Sequence, residues 1–174
     1  MRVPFLVVRT RSAAETTGLG DRIGRLLRPG ELLLLTGDLG TGKTTFVRGL
    51  ASGLGIDDRV RSPSFQIVRT HEGGRFPLVH VDLYRLGSAH EVGDLGLEEL
   101  ISPPAVAAVE WGEKASSIAG RDFLELEFSW SPEAIDVRTI RFLPAGRWRD
   151  RMGELGDAVR SWAGGDPADA SEGD

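Results

Sequence analysis

The chain has 174 residues, 40% of them hydrophobic and 27% charged, with a net charge of −5. These values are typical of one globular domain with a sizeable core. It has no cysteine, which excludes disulfides, thiolate chemistry and cysteine-ligated zinc. The N-terminal apolar run is too short for a signal peptide and no stretch is long enough to span a membrane, so we expect a cytoplasmic protein. The histidines are scattered without metal-ligand spacing, which favours satisfied or exposed side chains over a metal site: His71, His80 and His90.

Acidic residues are concentrated at the C-terminus. The segment 163–174 carries four acids, no base and no large apolar residue, a composition that predicts disorder. We therefore expect a single domain over 1–162 followed by an acidic tail. The remaining body holds 21 basic and 22 acidic residues (26 − 4 = 22). A nearly neutral body argues against a chain that grips nucleic acid by itself, because phosphate contacts need a basic surface.

The first predicted elements are a strand and a helix. Val3 to Val8 is typical of a strand, and Pro4 indicates an edge position because proline cannot donate a ladder hydrogen bond. Ser12 is a plausible N-cap, with Glu15 three residues later completing a capping box. The helix that follows should run to about Leu27, where an Arg-Pro-Gly turn ends it.

The rest of the chain continues the alternation. A short apolar strand at Leu32 to Leu35 precedes a glycine-rich loop and a helix over 45–54. The later predictions, in chain order, are a hairpin turning at 72–75, a helical or turn-rich segment at 91–100, a strand buried on both faces at 105–111, a strand pair at 123–130 and 136–146, and a final helix at 147–162. This order predicts a three-layer α/β fold with a mostly parallel central sheet and antiparallel edge strands.

The glycine-rich loop carries the strongest chemical signal. Gly37-x4-Gly42-Lys43-Thr44 is a phosphate-binding loop in the required context, between a strand and a helix. The glycines allow the backbone to wrap closely, so that amides can point at phosphate oxygens. Lys43 should reach the β- and γ-phosphates, and the Thr44 hydroxyl should bind Mg²⁺. The residues expected to bind the nucleotide are Asp38, Leu39, Gly40, Thr41, Gly42, Lys43, Thr44 and Thr45.

A phosphate loop needs an acidic partner that helps to hold Mg²⁺. Asp82 and Glu110 each lie near the end of a predicted strand, where ligands of open α/β sheets collect. Either acid could instead cap a loop amide or pair with an arginine. The pattern alone does not assign the metal and the catalytic roles between them.

Five segments together resemble one known family. GDLGTGKTTFVRGLASGLGI, VRSPSFQIV, HVDLYRL, DLGLEEL and AAVEWGEK occur in this order at compact spacing, and together they are similar to the bacterial TsaE (YjeE) family. The resemblance covers residues from about 12 to 143. It implies a P-loop NTPase fold and a Mg²⁺-dependent ATPase, weak alone, that acts with the TsaB and TsaD proteins. The implied reaction forms the threonylcarbamoyl group on adenosine 37 of tRNAs reading codons that begin with adenine. Contact with tRNA would be indirect, through the complex.

The resemblance also implies roles for individual residues. Glu110 would ligate Mg²⁺ together with Thr44, and Asp82 would be required for activity as a candidate to orient the attacking water. The family's Ser-Pro-Thr switch segment appears here as Ser62-Pro63-Ser64, in which serine keeps the hydroxyl of threonine and loses a methyl group. Ser64 would then act on the γ-phosphate side, and Trp111 would lie at a switch or partner surface. Two plainer alternatives stay open: a turn role for Ser64 and a packing role for Trp111.

The sequence favours ATP over GTP and leaves three function classes. The chain contains no asparagine, and Lys114 is not followed two residues later by aspartate, so the N/T-K-x-D segment that selects guanine is absent. By resemblance, adenine would lie near Thr10 to Thr16, with Arg138 a further candidate. Besides the tRNA-modification ATPase, the alternatives are a small-molecule kinase and a nucleotide-gated binding module without turnover. A phosphate loop alone does not decide among them.

Overall fold

The computed structural model describes residues 5–57, 60–63, 66–115, 119–131 and 134–163. Within these ranges the strands are β1 (Leu6–Thr10), β2 (Leu32–Thr36), β3 (Val68–His71), β4 (Leu78–Asp82), β5 (Val106–Glu110), β6 (Leu124–Ser131) and β7 (Ala134–Pro144). The α-helices are α1 (Ala13–Gly24), α2 (Lys43–Leu54), α3 (Ala89–Gly93), α4 (Leu97–Leu100) and α5 (Met152–Ala158). Short 3₁₀ turns cover Gly112–Lys114, Gly146–Arg151 and Arg160–Trp162.

The strands form one seven-stranded sheet in the order β1-β7-β6-β2-β5-β4-β3. The four central strands are parallel to one another, whereas β3 and β7 run antiparallel to their neighbours. The predicted mixed sheet is therefore confirmed. Every residue of β2, β4 and β5 is buried, as expected for central strands covered on both faces. In β6, buried and half-exposed residues alternate, as its sequence predicts.

Helices cover both faces of the sheet. On one face α1, α2 and α5 bury apolar side chains such as Leu19, Phe46 and Leu155 against the strands. On the other face, residues of α3 and α4 pack against Val79, Val109 and their neighbours. The predicted three-layer α/β architecture is confirmed. Among the helices in the described ranges, none is long and apolar enough to cross a membrane.

The first strand and helix are confirmed with different ends. β1 lies at the sheet edge but extends to Thr10, which pairs with Arg138, whereas Val3 and Pro4 lie outside the described residues. Ser12 caps α1 by accepting the Glu15 amide at 3.1 Å. The predicted capping box is only half formed, because the Glu15 carboxylate accepts the amide of Arg11 instead of that of Ser12.

Helix α1 ends at Gly24, three residues before the predicted end. Arg75, in the hairpin turn, donates to the carbonyls of Gly24 and Arg25 at 2.9 and 3.0 Å. The amides of Leu26 and Leu27 bond three residues back, to Ile23 and Gly24. These contacts tighten the chain and take the carbonyls that a longer α-helix would use.

The predicted single helix at 147–162 is wrong. The structure has a 3₁₀ turn, the seven-residue helix α5 and another 3₁₀ turn. The backbone departs from helical geometry at Arg151 (φ −103°, ψ 2°) and at Val159 (φ −108°, ψ 11°). Gly153 and Gly156 lower the helix propensity of the segment. The side chains of Trp148 and Arg151 are nevertheless buried, so tertiary packing sets this geometry.

Candidate nucleotide site

The phosphate loop connects β2 to α2 and requires glycine at two positions. Gly37 has φ 125°, and a Cβ there would lie 2.1 Å from the carbonyl oxygen of Phe128 on β6. Gly42 caps α2 with φ 103°. Both backbones lie in the left-handed region that side chains disfavour, so each glycine is needed for the path of the loop. The loop ends at the N-terminus of α2, which is favourable for an anion.

Lys43 is nearly fully buried, with an exposed fraction of 4%. Its Nζ donates to the carbonyls of Gly37 and Asp38 at 2.6 and 2.8 Å and lies 4.3 Å from the centre of the Trp111 ring. Burial lowers the pKa of Lys43, an effect that nearby carboxylates, Glu110 first, oppose. The ammonium group therefore contacts carbonyl oxygens and an aromatic face without a direct ion pair among the described residues, a state that a phosphate would improve.

The two predicted acids lie side by side, because β4 and β5 are parallel and Asp82 is in register with Glu110. One oxygen of Glu110, Oε1, accepts the Thr44 hydroxyl at 2.7 Å. The carboxylate of Asp82 accepts the Ser62 hydroxyl at Oδ2 (2.5 Å) and the Tyr84 amide at Oδ1 (3.0 Å). Asp82 thus caps a loop amide, one of the plainer roles left open above, and also contacts the predicted switch segment.

A cavity of about 480 Å³ brings most of the predicted site residues together. It is lined by Leu39, Gly40, Gly42, Lys43, Thr44, Thr45, Ser62, Asp82, Tyr84, Arg85, Glu110 and Trp111. Of the residues predicted for the phosphates, the metal and the switch segment, three lie in the described ranges but outside this lining: Asp38, Thr41 and Pro63. Thr41 is buried and donates its hydroxyl to the Asp38 carbonyl at 2.8 Å, so it stabilises the loop from below. Ser64 lies outside the described residues.

Trp111 combines packing with a strained backbone. It has φ 60°, a left-handed conformation that is uncommon for a bulky residue. Its ring lies beside Lys43 and 5.1 Å from the ring of Tyr84, which is 52% exposed. Strained backbone of this kind persists only where the surrounding structure holds it in place, and it is often found at functional sites. Trp111 therefore packs against Lys43 and Tyr84 with a strained backbone, and its switch or partner role stays a prediction.

Sequence reasoning missed three residues at this site. His80 is fully buried and its Nε2 lies 2.8 Å from Oε1 of Glu110. The irregular spacing of the three histidines in the sequence therefore gave no information about the contact that His80 makes. The sequence did contain a signal: His80 is a polar residue in the otherwise apolar strand LVHVD, two residues before Asp82. Because alternate residues of a strand share a face, this spacing places His80 on the same face as Asp82. Tyr84 and Arg85 follow that strand and line the cavity.

A magnesium ion fits this donor set. The described residues contain no cluster of three or more histidine or acidic side chains that could enclose a metal. Mg²⁺ in nucleotide sites does not need one, because it keeps several waters and binds one or two protein oxygens plus phosphate. Thr44 Oγ1 and the Glu110 carboxylate, which are joined by a 2.7 Å hydrogen bond at the carboxyl end of the sheet, can supply such oxygens.

A second cavity of about 330 Å³ lies next to α4, on the face of the sheet that α3 and α4 cover. Its walls are mainly apolar, with side chains such as Leu34, Leu97 and Val109. None of the described residues that line it is a lysine or an arginine. Without such a cation among these residues, the apolar cavity is a poor site for a triphosphate.

Comparisons with known proteins agree with this geometry. The profile of the family described as threonylcarbamoyl adenosine biosynthesis protein TsaE matches residues 10–140. The tRNA threonylcarbamoyladenosine biosynthesis protein TsaE of Streptomyces coelicolor is 52% identical over 136 residues, covering 75% of this chain and 91% of the relative. The protein of the same name from Bacillus subtilis is 37% identical over 138 residues, covering 79% of this chain and 85% of the relative.

A solved structure shows the same fold. The crystal structure of Bacillus subtilis YdiB superposes with a TM-score of 0.76 at 32% identity, covering 90% of this chain and 97% of that one. The family match spans the phosphate loop, both acids and the segment around Trp111. The chain belongs to the TsaE family of tRNA threonylcarbamoyladenosine biosynthesis proteins, as its sequence motifs predict.

Proposed function

We propose that this chain is a Mg²⁺-dependent ATPase that acts with the TsaB and TsaD proteins, in the cytoplasm where tRNA is modified. Together with these partners it supports formation of a threonylcarbamoyl group on adenosine 37 of tRNAs that read codons beginning with adenine. The observation that carries the proposal is a buried lysine, a hydroxyl and two carboxylates around one cavity, in a chain of the TsaE family. The body carries almost no net charge, which supports indirect contact with tRNA through the partners.

Each site residue has a distinct role in this proposal. Lys43 binds the β- and γ-phosphates, and the loop amides contact the remaining phosphate oxygens. Thr44 and Glu110 hold Mg²⁺, which when bound neutralises charge on the phosphates. Asp82 orients the attacking water, and its contact with Ser62 links it to the switch segment. Ser64 is proposed to donate on the γ-phosphate side.

The two carboxylates can be separated by mutation. Glu110→Gln should shift the Mg²⁺ dependence of nucleotide binding, because a neutral amide is a poor magnesium ligand. Asp82→Asn should leave nucleotide binding largely intact and reduce hydrolysis, because the amide cannot accept a proton from water. Calorimetry at several Mg²⁺ concentrations and a hydrolysis assay measure both effects. The opposite pattern would mean that the two acids exchange roles.

The adenine is proposed to lie beside the sheet edge formed by β1, β7 and β6. Thr10, Arg138 and Trp130 are aligned across these strands, and the Arg138 guanidinium stacks 3.7 Å from the centre of the Trp130 ring. A Cβ built on Gly40 of the phosphate loop would be 3.4 Å from the Trp130 ring. An aromatic surface next to the loop can stack on a base. Trp130→Ala should weaken binding of ATP while binding of inorganic tripolyphosphate is retained; equal losses would contradict this placement.

The segment 61–65 is proposed as the switch that reports the γ-phosphate. Ser62 contacts Asp82 directly, and the Pro63 carbonyl accepts the amides of Gln66 and Ile67 at 2.7 Å each. Ile67 has φ 64°, a strained value for a β-branched residue, and its carbonyl accepts the Asp82 amide at 2.8 Å. A strained connection next to a catalytic group supports a segment with two arrangements. Partners that bind the ATP and ADP states differently would detect which arrangement the segment adopts. Trp111 is proposed to present this change at the surface.

The decisive assay is a reconstitution with TsaB, TsaD, tRNA, threonine, bicarbonate, ATP and an enzyme that supplies threonylcarbamoyl-adenylate. The wild-type chain should sustain repeated rounds of tRNA modification. Lys43→Ala and Asp82→Asn should not, although both variants should remain folded by circular dichroism. Modification that proceeds equally well without the chain would contradict the proposal. Phosphorylation of a nucleoside or sugar in its presence would support the kinase alternative instead.

A further inference from the structure

We propose that His80 is a positioning residue for magnesium binding, acting through Glu110. The inference rests on the function proposed above, since it assumes that Glu110 holds Mg²⁺. His80 lies on β4, two residues before Asp82, and faces the same side of the sheet as Asp82. It belongs neither to the phosphate loop nor to the lining of the cavity. Its effect on the site must therefore pass through the carboxylate that it contacts.

Two donors converge on one oxygen of Glu110. The Thr44 hydroxyl donates to Oε1 at 2.7 Å, and His80 Nε2 lies 2.8 Å from the same atom. Among the described residues, none donates a hydrogen bond to the second oxygen, Oε2. The imidazole therefore fixes the carboxylate from below and leaves the other oxygen for a ligand. The Glu110 side chain is only 5% exposed, so solvent contributes little to its orientation.

The surroundings of His80 determine which ring nitrogen carries the proton. The side chain is fully buried, and Nδ1 has no hydrogen-bond partner in the described part of the chain. A proton on Nδ1 would bury an unsatisfied N–H group, which is more costly than an unpaired nitrogen lone pair. The hydrogen-bond network thus assigns the proton to Nε2, which donates to Glu110. This hydrogen bond orients the carboxylate, whose second oxygen stays available to a cation.

A purely structural role is the competing explanation, and His71 provides the matched control. His71 lies on β3 of the same hairpin, is equally buried, and its ring is 6.2 Å from that of His80. The hydrogen bond to Glu110 is made by His80 on β4, next to β5, whereas His71 lies one strand further from Glu110. If a buried imidazole at this hairpin matters only for packing, replacing either histidine by leucine should have similar consequences.

The test measures how much Mg²⁺ strengthens binding of a non-hydrolysable ATP analogue. Calorimetry with excess Mg²⁺ and with EDTA gives the two affinities, whose ratio is the gain from the metal. His80→Leu should reduce this gain about tenfold and leave the affinity in EDTA unchanged, because loss of a residue that orients a metal ligand typically costs this much. His71→Leu should leave the gain unchanged. Electron paramagnetic resonance of Mn²⁺ bound to the complex of protein and ATP analogue should rank the variants in the same order.

Two further substitutions keep the test valid if leucine prevents folding. His80→Gln places an amide N–H near the position of Nε2 and should restore the gain to within about threefold of the wild type. His80→Asn is also polar but reaches only the position of Nδ1, so it should behave like leucine. Equal gains in the Gln and Asn variants, or a loss of affinity in EDTA as large as the loss with Mg²⁺, would overturn the inference.

Glu110→Gln separates this inference from the proposed function. If Glu110→Gln reduces the gain from Mg²⁺ and His80→Leu does not, the metal site is correct and the role of His80 is wrong. If Glu110→Gln has no effect, the proposed role of Glu110 fails, and the inference about His80 fails with it.

Discussion

The two ends of the central sheet both bury charged groups, and they treat them in opposite ways. At the amino end, Arg151 is 9% exposed and donates to the carboxylates of Glu31 and Glu154 and, at 2.7 Å, to the Leu26 carbonyl. At the carboxyl end, the buried Lys43 contacts carbonyl oxygens, while the nearby carboxylates accept hydrogen bonds from hydroxyls and an imidazole.

The difference indicates what each cluster is for. Burying a charge is costly unless it is paired, and the amino-end cluster pairs its cation with two anions inside the protein. The carboxyl-end cluster keeps its cation and its anions apart, so that phosphate and Mg²⁺ can complete it. Mutual pairing is thus a feature of a stabilising network, and incomplete pairing around a cavity is a feature of a binding site.

The largest expected effect on stability comes from breaking the amino-end cluster. Arg151→Met should lower the free energy of unfolding by about 3 kcal/mol, because it leaves Glu31 without its buried partner. Urea denaturation measures this loss, and ATP affinity of the folded variant should be unchanged. Arg25→Met is the control, since the Arg25–Asp21 pair lies on the surface of α1 and its loss should matter little. A folded Arg151→Met protein that no longer binds ATP would contradict the comparison.

The helices that carry the two clusters differ in how closely they pack, which gives a smaller effect. Helix α2 contacts α1 through backbone, and a Cβ on Gly49 would lie 2.1 Å from the Thr17 carbonyl oxygen. Gly49→Ala should therefore destabilise the protein by about 2 kcal/mol through overpacking. Gly153 in α5 has no neighbour within 4 Å of an added Cβ. Gly153→Ala should raise stability by about 0.5 kcal/mol. Thermal unfolding compares the two; similar shifts would mean that helix packing does not distinguish the two ends.

The smallest effect concerns pH. The hydrogen bond from Arg151 lowers the pKa of Glu154 below its ordinary value of 4.5. The stabilisation from this pair is present above the unfolded pKa and is lost as pH falls through the lower folded value. Wild-type protein should therefore lose more stability than Arg151→Met when the pH is lowered below about 4.5. Parallel curves of stability against pH would show that the pair contributes nothing measurable.

Sequence patterns predicted the parts of the molecule whose causes are local. The apolar runs of the central strands, the phosphate loop and the Ser12 cap depend on neighbouring residues, and they lie where expected. The end of α1 was not predicted correctly, because it depends on Arg75, which lies in a hairpin far away in the sequence. His80 was missed for the same reason, since its significance comes from Glu110 on the next strand. The break in the final helix reflects burial of Trp148 and Arg151, which periodicity alone cannot reveal.

The most direct test of the central claim is calorimetric titration of the isolated protein with Mg²⁺-ATP. Wild type should bind, and Lys43→Ala should bind roughly 30- to 150-fold more weakly, because about 2–3 kcal/mol of charge-assisted hydrogen bonding to phosphate is lost. Lys43→Arg, which keeps the charge, should lie between the two. Arg151→Met, measured at a temperature where it is folded, should bind as tightly as wild type. Equal affinity of wild type and Lys43→Ala would contradict the assignment of the carboxyl-end cluster as the nucleotide site.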